Sequence, residues 1–148
     1  MTARRRLAVA ASALALVPVL VGCGGNDYNA YCDKVKAHQA GLTDTLGQGG
    51  DGALIDALPA LEDLRDSSPD DIRADWNQLV AAISHLKSAL DAAGIKPSDY
   101  HAGRPPKGLT ADQRARITAA ADEIADAQQA AVDVQQQARD VCHTPLSL

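Results

Sequence analysis

The sequence predicts an all-α protein, an antiparallel up-down four-helix bundle closed by one disulfide. Three observations predict it. Apolar residues recur at intervals of three and four in four separate segments, the spacing that lines one face of a helix. No segment alternates apolar and polar residues as a half-buried strand must. Two cysteines, Cys32 and Cys142, stand where the start of the first helix and the end of the last meet in such a bundle.

The first helix is predicted over 28–46, with Tyr28, Tyr31, Val35, Leu42 and Leu46 on one face, and the glycine-rich stretch 47–52 ends it. The second covers 53–65 through Leu54, Leu58, Leu61 and Leu64. Pro59 lies in its middle and predicts a kink or short break, because proline lacks the N–H and clashes with the preceding turn. The third has the clearest start: Ser68 as N-cap, Pro69 at the first helical position, and Asp70 and Asp71 in the positive first turn. Its stripe is Ile72, Trp76, Leu79, Val80, Ile83, Leu86 and Leu90, after which Gly94 supplies a left-handed residue and Pro97 prevents continuation. The fourth opens on a Thr110–Gln113 capping box and is expected to run unbroken through Ile117, Ala120, Ile124, Ala127, Ala131, Val134, Ala138 and Val141. Half of that stripe is alanine, which permits close approach of a neighbouring helix or leaves room for a bulky group.

The N-terminal segment reads as an export signal. Arg4, Arg5 and Arg6 precede an apolar run of 15 residues, 7–21, which as a helix spans roughly 22 Å and falls short of the ~30 Å hydrocarbon core. Leu20-Val21-Gly22-Cys23 closes the run and resembles the bacterial lipobox. By that resemblance Cys23 becomes the mature N-terminus and receives a diacylglyceryl group, so membrane lipid is the first partner. Stable anchoring takes two or more acyl chains. The domains expected are a signal peptide over 1–22, a lipidated tether over 23–27 and a helical bundle over 28–148. Three consecutive arginines leave both the general secretory and the twin-arginine export routes open.

Removing 1–22 leaves 126 residues, enough for one domain with one core. Lys plus Arg then falls from 14 to 11 against 19 acidic residues, a formal charge of −8. Such a surface opposes nucleic-acid binding, which needs a concentrated positive field, and the chain has no Phe and one Trp to stack on bases. The Asp-rich, Ala-rich and Lys-poor composition is typical of high-GC bacteria. Two cysteines remain after lipidation, and in an exported protein they are expected to oxidise to a Cys32–Cys142 bridge. The bundle topology asks for the same pairing. It also puts the lipid, the disulfide, the turn at Ser67-Ser68 and the tail 143–148 at the membrane end, with the loops 47–52 and 95–108 at the far tip.

The candidate partner-binding surface is the connection 95–108, long for a bundle and locally +2, with Lys96, Tyr100, His101, Arg104 and Lys107 as its contact residues. A solvated linker is the plainer reading. The carboxylates between Asp56 and Asp75 are dense enough to suggest Ca²⁺, but their spacing is not that of an EF-hand loop. His38 interrupts the apolar run of the first helix, and it either ligates haem or metal beside Tyr28 or Tyr31 or is a surface histidine. No nucleophile elbow, Walker loop, dinucleotide fingerprint, H-E-x-x-H or Glu-x-x-His pair occurs, so no catalytic residue, metal or cofactor is assigned.

The lipobox, the early Cys32, the stretch 61–76 with Ser68-Pro69-Asp70-Asp71-Ile72 and Asp75-Trp76, and the late Cys142 resemble small exported actinobacterial lipoproteins. That resemblance implies a helical fold and a place on the extracytoplasmic face of the cell membrane, and no chemistry. The function expected is a non-enzymatic, membrane-anchored module for protein interaction in the cell envelope. The alternative is a carrier of a small hydrophobic ligand, lipid or haem, in a bundle cavity.

Overall fold

The computed structural model describes residues 25–104 and 106–148; the predicted signal peptide and Cys23 lie outside them. Among the described residues there are six α-helices, one short 3₁₀ turn and no strand. The helices are α1 (Gly25–Gly47), α2 (Ala53–Asp56), α3 (Leu58–Ser67), α4 (Arg73–Ala93), α5 (Ala111–Asp126) and α6 (Gln128–Cys142), with the 3₁₀ turn at Pro97–Asp99. None of these helices is long and apolar enough to cross a membrane. The first one begins inside the stretch assigned to the tether.

Helix α4 is the centre of the packing, with α2, α3, α5 and α6 all against it. Its buried positions Trp76, Leu79, Val80, Ile83, Leu86 and Leu90 are those of the predicted stripe. At the heart of the core the Trp76 indole Nε1 donates to the Tyr31 hydroxyl at 3.0 Å, with the two rings edge to face at 6.5 Å. A buried indole N–H needs such a partner, and the geometry also satisfies the ring quadrupoles. Burial raises the Tyr31 hydroxyl to a pKa of about 12, so it stays protonated. One core gathers side chains from 31 to 146 and is tied by the disulfide pair, so the described residues within 25–148 contain a complete core of their own.

Several boundaries follow the sequence. The break before Pro59 falls at Ala57, and Pro59 sits in the first turn of α3, where its missing N–H costs nothing. Gly94 takes φ 71°, and the Gly94 and Ile95 N–H groups return to the Asp91 and Leu90 carbonyls. The capping box is complete, Gln113 N–H to Thr110 Oγ1 at 3.2 Å and Thr110 N–H to Gln113 Oε1 at 3.0 Å.

Three expectations are corrected. Ser68 does not cap α4: its hydroxyl donates to the Arg65 carbonyl at 2.7 Å and closes α3, so residues 69–72 form a lead-in turn and α4 starts at Arg73. The predicted fourth helix is interrupted at Ala127, where Gln78 of α4 donates to the Asp126 carbonyl and gives it a partner outside its own helix. Beyond the break the buried stripe shifts to Ala130, Val134, Ala138 and Cys142, leaving Val141 exposed, because Cys142 must face Cys32. The tail does not stay at the disulfide end. His143 adopts the left-handed conformation, and the chain reverses to run back along α1, with Gln39 Nε2 donating to the Pro145 carbonyl. Thr144 and Leu146 are buried and Leu148 half-buried, alternating with exposed His143, Pro145 and Ser147 as in an extended strap.

Candidate functional site

The two ends of α1 differ in chemistry. At one end Cys32 and Cys142 lie at disulfide-bonding distance, their Cα atoms 5.0 Å apart. The Tyr28 side chain meets Asp71 there, which brings the turn between α3 and α4 to the same end. At the other end, the tip, the 47–52 loop meets the long connection. Gly52 lies so close beneath Pro97 that a Cβ would fall 2.2 Å from the Pro97 carbonyl oxygen, so only glycine fits. The Ala102 N–H donates to Asp51 Oδ2 at 2.7 Å, and His101 Nδ1 is 3.9 Å from the same oxygen.

The long connection is therefore packed structure and not a loose linker. Of its five predicted contact residues, Lys96, His101, Arg104 and Lys107 are exposed. Tyr100 is buried and belongs to the core. Burial, and then the nearby Asp51 charge, raise the Tyr100 pKa. A phenol carried inward by this turn is unavailable to a protein partner approaching from solvent.

What Tyr100 does instead is form one wall of an open groove of about 650 Å³. The end of α1 gives Thr43 and Leu46, and α2 gives Ala53 and Leu54. Leu86 of α4, Ala121 and Ile124 of α5, and Ser147 and Leu148 of the returning tail complete the lining. The groove is mainly apolar, and among the described residues Asp51 is the one in its lining whose side chain carries a formal charge at neutral pH. Its volume lies within the roughly 300–1,000 Å³ typical of small-molecule sites, and mostly apolar walls with a few polar groups are the usual composition of such sites. Ala121 is small enough to keep it open.

Sequence reasoning singled out Tyr100 as a partner-contact residue and the stripe containing Ile124 as room for a ligand, but it did not bring them together in a groove. The tail offered one signal, the alternation of Thr144, Leu146 and Leu148, which marks an extended segment with one buried edge. The groove also needs the reversal at His143, a non-glycine residue at φ 52° that composition does not announce.

The other candidates are accounted for by surface pairing. His38 Nε2 meets Asp63 Oδ2 at 2.8 Å, and Lys34 bonds the other oxygen of that carboxylate, joining α1 to α3 at a half-exposed site. The Lys34 and His38 hydrogen bonds, in that order, lower the Asp63 pKa. In the acidic stretch, Asp66 pairs with Arg65 and Asp70 with Arg73. Among the described residues no three metal-ligating side chains converge. The chain matches no protein-family model, and neither the curated proteins nor the solved structures include one similar to it.

Proposed function

We propose that this chain is a non-enzymatic, lipid-anchored lipoprotein of the cell envelope whose extracytoplasmic helical domain binds a small hydrophobic ligand in the tip groove. The anchor rests on the sequence of the first 23 residues and on their resemblance to exported actinobacterial lipoproteins. The groove carries the binding reading: about 650 Å³ of mainly apolar space, walled by four helices, the long connection and the strap. We read the six helices as four antiparallel rods, α1, α2 with α3, α4, and α5 with α6, since each interruption is the single residue Ala57 or Ala127. With Cys23 just before α1, this arrangement holds the groove at the end of the domain remote from the membrane, open to ligand from the aqueous side.

Docking of an envelope protein is the second reading, favoured by the exposure of Lys96, His101, Arg104 and Lys107 at the same tip. Native mass spectrometry of residues 24–148 exported from a host cell separates the two. The ligand reading expects an added mass that denaturation removes and that Ala121→Phe, which fills the groove, abolishes. A bare native mass, with an envelope protein retained by the wild-type tip and lost with Lys96, Arg104 and Lys107 changed to Ser, supports the docking reading instead.

A further inference from the structure

We propose that the ligand of the tip groove is an amphiphile with a cationic ammonium head, held through Asp51, and not an anionic lipid or fatty acid. The inference rests on the reading of the groove as a ligand site and adds the chemistry of the ligand. The polar residues of the groove differ in what they can do with hydrogen bonds. The lining includes three hydroxyl-bearing residues, Thr43, Tyr100 and Ser147, and a hydroxyl serves either a donor or an acceptor. Asp51 contributes a carboxylate, which only accepts.

Asp51 is held in place for this role. Its Oδ2 takes the Ala102 N–H, which fixes the side chain against the long connection, while Oδ1 has no hydrogen-bond partner among the described residues. A carboxylate oxygen with spare acceptor capacity at the edge of an apolar groove favours a cationic donor and repels an anion. The attraction grows as ligand and apolar walls displace water from between the charges. The cations of the tip do not reverse that preference, since Lys96, Arg104 and Lys107 are not among the groove's walls. His101 stands beside Asp51 on the oxygen already engaged. The whole domain, at −8 after removal of 1–22, adds a long-range field of the same sign.

The test is calorimetric titration of residues 25–148 with three ten-carbon probes below their micellar concentrations: decylammonium, decanol and decanoate. The proposal expects saturable one-to-one binding of decylammonium, at least tenfold tighter than decanoate. Asp51→Asn, whose amide oxygen still accepts the Ala102 N–H, should weaken decylammonium at least tenfold and leave decanol within twofold. Asp70→Asn, a change of the same charge on the surface turn before α4, should leave decylammonium unaffected. Decanoate binding as tightly as decylammonium, or equal loss from Asp51→Asn and Asp70→Asn, overturns the cationic assignment while the groove remains a hydrophobic site. Absence of binding by all three probes overturns the groove reading itself.

Discussion

Breaking the Cys32–Cys142 link should remove a large part of the stability of this domain. The two residues are 110 apart in sequence, so the bond closes most of the folded chain into one loop. In the chain-entropy treatment a loop of that length stabilises by about 5 kcal/mol at 25 °C, a ceiling that native bridges often fail to reach. Domains of this size have total stabilities on the order of 5–15 kcal/mol, and 1 kcal/mol moves their melting temperature by roughly 3–6 °C. A loss of even half the ceiling therefore lowers the melting temperature by about 10 °C. The bond also sits one residue before the reversal at His143, so the strap should loosen first. The assay is circular dichroism of residues 25–148, melted with and without a phosphine reductant, beside the Cys32→Ala/Cys142→Ala double variant. Melting within about 3 °C of the oxidised protein in both cases would refute the reasoning.

Three further outcomes follow from individual contacts. Tyr31→Phe removes the acceptor of the buried Trp76 N–H and should cost about 1–3 kcal/mol, read in denaturant titrations by the fluorescence of the single Trp; a cost below about 0.5 kcal/mol would mean the indole needs no partner. Gly52→Ala drives a methyl into the Pro97 carbonyl and should accelerate amide exchange across 95–104 while leaving the disulfide end protected, whereas uniform or unchanged exchange contradicts that packing. The lowered pKa of Asp63 means that its ionised form is favoured by folding. Its contribution is therefore fully present above the ordinary carboxylate range and lost as pH falls below about 4. Asp63→Asn should flatten this acid limb of the stability curve, and an unchanged limb would show that Lys34 and His38 contribute nothing there.

Much of the helical frame was legible because local rules and burial agree. The α4 stripe, the Gly94 stop, the Thr110 capping box and the break ahead of Pro59 are all written in spacing and residue type. Ser68 misled because a serine before proline serves the end of one helix as readily as the start of the next, and here its hydroxyl joins its own N–H on the Arg65 carbonyl. Ala127 was illegible because alanine carries no break signal, and the hydrogen bond beside the break, Gln78 to the Asp126 carbonyl, joins residues 48 apart in the chain. The long connection stood out by length and charge, but charge drew attention to its exposed side chains, while the buried Tyr100 and the Ala102–Asp51 hydrogen bond to the 47–52 loop decide its structural role. The groove depends on five segments distant in sequence and on a tail that reverses at one left-handed residue, a convergence that periodicity within any one segment does not encode.

The central claim, that the tip groove takes a hydrophobic ligand, is tested most directly by methyl-resolved NMR of residues 25–148 titrated with decanol, a probe without charge. Saturable shifts confined to Leu46, Leu54, Leu86, Ile124 and Leu148 are the predicted result, and Ala121→Phe should erase them. Shifts that never saturate, or that centre on the exposed Val132 and Val141 of α6, would contradict it.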